Sequence, residues 1–600
     1  MSHVVVCSRA TCAPPSWALW ERFLIDKMNE AAPAFEERYT RRDGTFVWRD
    51  EWPGFDGSDD GYESYHNWPL FYVLGGSADI HERSRYLWEA VTRQFTAYGQ
   101  IYREFDANYD WMHHGESSIY FYYFGLADPT VLRDRARALR FAGLYMGEDA
   151  EAQNWDAERR MIRSPINGSR GPRFENAWDD WVTHRPELSY YPAPFEDIPG
   201  VDGPIADWMD DRVYGEILRL LNQRQMRCDV PLNLTCTSLI TNAYLYTGDD
   251  RYRQWVLDYV EAWGDRIPAN GGICPDNVRP NATIGETMDG KWWGGYYGWR
   301  WPHGFMSIIQ PLVISATNAV LMTGDMGYLD MPRGQLDRIM NLSHEEGGVL
   351  LAPNRHMDGG WCDYRPIRPE YPIQVWYVSQ AEADRARLAR FPERLTTWTE
   401  VKAGRGSGDN IHIAPWYRYL EGANPDYPIQ IAEAQWNELA RRMDGMAHDD
   451  GDPQLWNVHH WQDINPVHTE ALVQLTCGGP QIIYRGGLLH VCLRHFDLDK
   501  ARPGLPTDVG ALVESLGADS TTVTLVNTSP RHPRRLIVQA GAFGEHLFSQ
   551  VTDLAVGEDQ RATLPINHKH LEVHLAPSGM VRLELQMRRY CSKPTYDQPV

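Results

Sequence analysis

Five stretches of the chain repeat one alternation of apolar and polar positions. An apolar, aromatic helical run stops at a glycine, a short turn rich in acid follows, and a second helical run begins. The copies are FYVLGGSADIHERSRYLWEAV, FYYFGLADPTVLRDRARAL, AYLYTGDDRYRQWVLDYVEAW, AVLMTGDMGYLDMPRGQLDRIM and YRYLEGANPDYPIQIAEAQWNEL. Glycine suits the left-handed residue that ends a helix, and Asp just after it suits the N-cap or first turn of the next, so each copy predicts an αα-hairpin. The run before the glycine is apolar almost all round, whereas the run after it is amphipathic with many Arg and Glu, which predicts an inner helix followed by an outer one. The marker glycines Gly75, Gly125, Gly248, Gly324 and Gly422 lie 50, 123, 76 and 98 residues apart, which leaves room for one or two further hairpins. WALWERFLIDKMNEAA and DDRVYGEILRLLNQRQM supply helices for them. An open solenoid would keep a more constant repeat length.

From about Gly478 the period changes. PQIIYRGGLLHVCLRHF, DVGALVESLG, TTVTLVNTS, PRRLIVQAG and KHLEVHLAPSGMVRLELQM are short β-branched runs bounded by Gly, Pro and Asn, the pattern of strands. The expected fold is mainly α: an (α/α) toroid of six or seven helical hairpins over residues 1–475, then a smaller antiparallel β-sandwich over 480–590. Nested hairpins with TGD-x-x-Y turns, tryptophan-rich loops and a C-terminal sandwich resemble the (α/α)-toroid carbohydrate-active enzymes, both polysaccharide lyases and glycoside hydrolases. The resemblance covers most of the chain in architecture and implies a carbohydrate substrate.

Composition narrows the partners. The chain of 600 residues carries 81 acidic against 58 basic side chains, a formal charge of -23, with no basic run. That excludes duplex nucleic acid as an expected partner, because phosphate binding needs a Lys and Arg surface, and it gives no support to a membrane-surface role. The nine cysteines form no CxxC pair and no Cys/His ligand spacing, so neither a zinc module nor a disulfide framework is expected. The first residues lack the charged start and clean apolar run of a signal peptide, and no window reads as a membrane span, so a cytoplasmic location is expected.

Candidate chemistry concentrates just before the expected inner helices. His66 precedes its marker glycine by 9 residues, His114 by 11, Asn233 by 15, His303 by 21 and His412 by 10, so these clusters are expected at one rim of the ring, where helix N-termini point. The clusters are DDGYESYHNWP, YDWMHHGESS, NRHMDGGWCDYR, WNVHHWQDINPVH and, above all, MDGKWWGGYYGWRWPHG, with four tryptophans and five glycines in seventeen residues. Glycine at that density predicts a loop, and a loop bearing Trp292, Trp293, Trp299 and Trp301 predicts exposed flat apolar surface. Sugars present an apolar face to aromatic rings and hydroxyls to Asp, Glu, Asn and His, which is the mixture found here.

Three chemistries fit. In the first, taken as the leading expectation, a lyase eliminates next to a uronic acid: Tyr297 or a neighbouring histidine, His303 or His114, moves the proton, Glu116 assists, and Arg300 holds the carboxylate. Lys291, Arg300, Arg355 and Arg365 would offset the global acidity there. Asn67, His66, Asn233, Asp289 and the rings of Trp292, Trp293 and Trp299 are expected to bind substrate. The alternative is a glycoside hydrolase with a carboxylate pair drawn from Asp60, Glu63, Asp110, Glu116 and Asp289. A sugar isomerase or epimerase, or a glycan-binding protein without activity, comes third. The His113-His114 and His459-His460 pairs lack an HExxH or carboxylate-triad context, so neither metal nor cofactor is expected.

Overall fold

A computed structural model describes residues 4–391, 398, 400–401 and 411–600. Up to residue 477 the described chain is mainly helical: α1 (Ser16–Tyr39), α2 (Ser58–Glu63), α3 (Trp68–Leu74), α4 (Ala78–Tyr98), α5 (Trp111–Ala127) and α6 (Leu132–Gly143) come first. Then follow α7 (Arg185–Leu188), α8 (Asp211–Arg224), α9 (Thr237–Thr247), α10 (Asp250–Ala269), α11 (Phe305–Thr323) and α12 (Asp330–Asn341). α13 (Glu370–Ser379), α14 (Glu382–Leu388), α15 (Ile413–Leu420), α16 (Tyr427–His448) and α17 (Glu470–Leu472) complete the series, the last continuing into a π-helical turn over Val473–Cys477. Contacts run in chain order: α3 packs on α4 and α5, α5 on α9, α9 on α10 and α11, α11 on α12 and α13, α13 on α15, and α15 on α16, which returns to α1.

The hairpin punctuation is physical. Gly248 and Gly324 cap α9 and α11 at φ 64° and 73°, and Asp249 and Asp325 then accept from the backbone N–H groups of the turns that follow. Gly125 breaks the pattern, for it lies inside α5 rather than beyond it. Its missing side chain makes room for the Tyr596 ring, whose hydroxyl donates to Asn242 at 2.6 Å and ties the C-terminal tail to the helices. α5 buries all of its residues, while α10 and α12 keep an exposed face. Phe305–Thr323 is long and apolar enough to cross a bilayer, contrary to the expectation that no window would be; 89% of it is buried inside the fold, as a core helix should be.

The β-rich part takes strands from both chain ends. Val5–Cys7 pairs in parallel with His570–Leu575 at the edge of a five-stranded sheet, and Ala10–Thr11 pairs with Gly579–Arg588 of the other sheet. Their buried faces share a core of Val6, Leu493, Val523, Leu525, Val538 and Leu583. The first strand after the helices is Leu493–Asp497, not residue 480 onward. Of the expected strand PQIIYRGGLLHVCLRHF only the end, from Leu493, is a strand; the part before it is irregular and passes so close to α5 that a Cβ on Gly115 would meet the Arg485 carbonyl. A three-stranded sheet (His344–Glu346, Val349–Met357, Gly360–Pro366) interrupts the helices between α12 and α13.

The tryptophan-rich loop also differs from expectation. Its glycines wrap one buried carboxylate: Asp276 accepts from the N–H groups of Gly294, Gly295 and Trp299, and a Cβ at Gly295 or Gly298 would collide with Asp276 itself. Trp299 and Trp301 are fully buried, and Trp292 and Trp293 pack on His356 of the three-stranded sheet. The loop is a folded support that holds Tyr297 and His303. Gly295→Ala therefore should cost about 1–3 kcal/mol by overpacking, read as a lowered midpoint in urea, whereas alanine at Gly359, where no atom stands in the way and the backbone is not left-handed, should cost far less.

Candidate active site

A cavity of about 190 Å³ opens where six pieces of chain meet. The first is α2, whose Asp59 and Glu63 stand one helical turn apart on a common face, with Asp60 beside them and Asp56 just before the helix. The second is the start of α5. Asp110 caps that helix by accepting from the N–H groups of Met112 and His113, takes the His113 Nδ1–H at 2.9 Å, and accepts from the Tyr296 hydroxyl at 3.0 Å. One carboxylate thus fixes the helix start, the His113 ring and the glycine-rich loop. Glu116 follows three residues later and faces the same cavity. The rest of the wall comes from α7 and its flank (His184, Glu187, Tyr191), from Tyr297 and His303, from His459 and Gln462, and from Tyr484 and Arg485.

Burial sets the electrostatics. Taking Glu116 out of water pushes its carboxyl up to about 8, against the pull of Arg485, whose Nε lies 3.3 Å from Oε1. Burial raises Asp59 only to about 6, because His113 opposes it. Asp60 and Glu63 are pushed well above the usual carboxylate range by burial and then by neighbouring carboxylates, although Asp60 accepts from Gln462 and has His459 at 3.3 Å. Asp56 ends below its usual value: burial would raise it, but the His184 charge at 3.3 Å prevails. Burial likewise works against charge on His113, and Asp110 with Asp59 outweigh it, so His113 is held well above its usual value. His303 goes the opposite way, well below, through burial and the nearby Arg485 and Arg355. At neutral pH the cavity therefore combines a protonated carboxyl, an ionised one and a neutral histidine.

Donor atoms of Asp59, His113 and Glu116, and separately of Asp56, Asp59 and Asp60, lie within 4.8 Å of one another, close enough to be drawn onto a cation. Protons on His113 and Glu116 answer the same charge without one.

Tyr297, His303 and Glu116 reach the cavity among the residues singled out in the sequence, as do Asp60 and Glu63. The others sit elsewhere. His114 is fully buried, bridging Asp106 at 3.1 Å and the Asn167 carbonyl at 2.8 Å. Asn233 is buried against Asp229, and Asn67 donates to the Val467 carbonyl. His66 is buried with Nδ1 on the Glu63 carbonyl. Arg300, expected to hold a substrate carboxylate, is 4% exposed and donates to Glu196 and the Ala193 carbonyl. Asp289 is exposed at the outer end of its loop, and Trp292, Trp293 and Trp299 are occupied with packing, so none of these four lines the cavity. His184, Glu187, Tyr191, Tyr484 and Arg485 were missed. The first three stand in DDWVTHRPELSYY, which mixes acids, histidine and aromatic rings much as the chosen clusters do.

No curated protein matches the sequence. Among solved structures, a D-mannose isomerase overlaps 63% of this chain and 86% of its own at 9% identity, with a TM-score of 0.36. An inactive variant of the α-1,6-mannanase GH76A of Salegentibacter sp. HEL1_6, in complex with α-1,6-mannotetrose, overlaps 70% of this chain and 100% of its own at 11% identity and a TM-score of 0.34. The family 76 glycoside hydrolase (mannosidase) Bt3792 of Bacteroides thetaiotaomicron VPI-5482 overlaps 57% and 99%, at 11% identity and 0.27. The sequence matches the family described as Domain of unknown function (DUF8034) over residues 4–349 and 342–473, and the chain belongs to that family.

Proposed function

We propose that this chain is a carbohydrate-active enzyme, a glycoside hydrolase whose site lies in a closed ring of helical hairpins, with Glu116 as acid and Asp59 as nucleophile. One observation carries this: two carboxyl groups with oxygens within 4.8 Å of one another, one raised to about 8 and the other to about 6. Two carboxylates whose environments push their affinities apart are the acid and base pair of glycosidic cleavage. Their closeness favours the retaining arrangement, where the groups stand ≈ 5–5.5 Å apart, over the inverting one, which keeps ≈ 6.5–9.5 Å for a water. Glu116 gives its proton to the glycosidic oxygen as the C1–O bond breaks, and Asp59 forms the new bond to C1. Glu116, now ionised, takes a proton from the water that releases the sugar. Asp110 holds His113, and the His113 charge keeps Asp59 ionised.

The lyase chemistry loses its support here. Arg300 is spent inside the protein, and a uronate in this cavity, although it could reach Arg485 and His113, would also face Asp56, Asp59 and Glu187. A neutral or amino sugar suits it better. A sugar isomerase or epimerase is the second reading, favoured by the neutral His303 ring 5.8 Å from the Tyr297 ring. A panel of 4-nitrophenyl glycosides, neutral oligosaccharides, uronate oligosaccharides and free aldoses separates them. Nitrophenol and reducing ends without the ultraviolet band of unsaturated uronates support the hydrolase. That band means lyase, and interconversion of free sugars alone means isomerase.

A further inference from the structure

We propose that the exposed apolar face beside the mouth of the catalytic cavity, formed by Val182, Pro186, Tyr190, Ile205 and Met209, holds further sugars of a glycan chain whose end sits in the cavity. The substrate is then an oligo- or polysaccharide, an inference that rests on the carbohydrate reading above and deepens it. Residues 178–209 carry five of the fourteen large hydrophobic side chains that stand exposed among the described residues: Trp178, Val182, Tyr190, Ile205 and Met209. Such a gathering marks a binding surface, whereas single exposed side chains do not. The same stretch carries His184, Glu187 and Tyr191 of the cavity wall. Backbone N–H groups of Arg185, Leu188 and Ser189 donate to the carbonyls of Trp181, His184 and Arg185, so it is one helical segment, and helical spacing sorts its faces. His184, Glu187, Leu188 and Tyr191 line the cavity, while Val182, Pro186 and Tyr190, four apart, are exposed. Tyr190 is 84% exposed and follows Glu187 by one turn, which puts it at the rim.

What lies beneath this face is fixed before a ligand arrives. The buried Arg185 donates to the carbonyls of Trp208 and Met209 at 2.7 and 3.1 Å and lies over the Tyr214 ring at 4.3 Å. Ser189 Oγ accepts from the Trp208 N–H at 3.1 Å, and Pro192 pairs with Ile205 in a short bridge. These bonds lay the 205–209 turn along α7 and join the two pieces into one surface, which keeps the ordering cost of binding small. Charge selects the occupant. Glu187, Asp207, Asp210 and Asp211 stand exposed around the face. A second copy docked two-fold on it would set these carboxylates against their own counterparts, in a chain whose formal charge is already -23. A neutral glycan meets no such repulsion: the apolar side of a sugar lies on Tyr190, and its hydroxyls donate to the carboxylates. The catalytic cavity, at about 190 Å³, is also smaller than the ≈ 300–1,000 Å³ of sites that enclose a drug-sized ligand, so a longer chain must continue outside it.

Calorimetric titration of the full-length protein, carrying Glu116→Gln so that the ligands survive, with neutral gluco-, manno-, xylo- and galacto-oligosaccharides of graded length tests this. In at least one series the tetrasaccharide should bind about tenfold tighter than the monosaccharide. Adding Tyr190→Ala should bring the two within about twofold, and Ile205→Ala should weaken the longer sugars alone. Leu564→Ala, an exposed residue of the β-rich part, should change nothing. With Glu116 restored, Tyr190→Ala should raise KM for the chain and leave kcat in place. Binding that grows with length in no series, or growth that survives Tyr190→Ala, overturns the proposal. So does a dimer in sedimentation that Tyr190→Ala splits, because a second copy then takes the face. The glycosidase reading fails separately. Length-dependent binding lost in Tyr190→Ala, with no glycoside hydrolysed by the native protein, keeps the surface and sinks the hydrolase; hydrolysis of 4-nitrophenyl glycosides without length-dependent binding does the reverse.

Discussion

Replacing Glu116 with Gln is expected to lower kcat by about 10²- to 10⁴-fold, the usual worth of a positioned proton donor. The amide matches the carboxyl in size and can keep the contact with Arg485, so the fold should persist while the proton is lost. Leaving-group dependence makes the outcome diagnostic. A 4-nitrophenolate leaves with little help and should lose little rate in its own departure, whereas an alkyl glycoside or a natural disaccharide should lose the full factor. Asp59→Asn should be at least as damaging on both, because no covalent intermediate can form. Tyr297 borders the same cavity, so Tyr297→Phe is the informative contrast. A small loss there, with a large loss in Glu116→Gln, supports the carboxylate mechanism. A near-inactive Tyr297→Phe beside a healthy Glu116→Gln would return the chemistry to proton transfer by Tyr297 and His303, as in a lyase or an isomerase.

Parts of this architecture were legible because local chemistry set them. The TGD turns mark helix ends, since a left-handed glycine and an N-capping Asp act within a few residues, and Gly248 with Asp249 and Gly324 with Asp325 do what their spacing implied. Apolar and amphipathic runs likewise told buried helices from half-exposed ones, as α5 and α10 illustrate. What misled was long-range. Gly295 and Gly298 look like signs of an exposed loop, but they are glycines because Asp276, some twenty positions earlier, presses against their backbone. Gly125 looks like a cap because nothing nearby reveals that Tyr596 will lie on it. The Arg485 segment has strand-like composition, yet it is held against Gly115 of α5, and so an arginine lining the catalytic cavity went unnoticed. Acid, histidine and aromatic mixtures did locate the region. They could not tell His113, which faces the cavity, from His114, which supports it one residue later.

The pH dependence should be bell-shaped, with kcat/KM greatest near pH 7 and falling about tenfold per unit beyond each limb. The acidic limb belongs to Asp59, which must be ionised to attack and takes up a proton as pH falls through about 6. The alkaline limb belongs to Glu116, which must be protonated and loses its proton as pH rises through about 8. The two groups interact, so the limbs describe the pair. Stability should follow with its own sign. A carboxyl raised from its usual 4.5 to about 8 binds a proton in the folded chain that the unfolded chain has already released, so each step upward in pH across that window destabilises the fold. Glu116→Gln removes this contribution: its Tm should fall less than the wild type's between pH 6 and pH 8, although its activity is largely gone. The alkaline limb of its residual rate on 4-nitrophenyl glycosides should vanish while the limb near 6 stays. Identical Tm profiles in the two proteins, with the alkaline limb unmoved, would mean that Glu116 is ionised throughout and that another group supplies the proton.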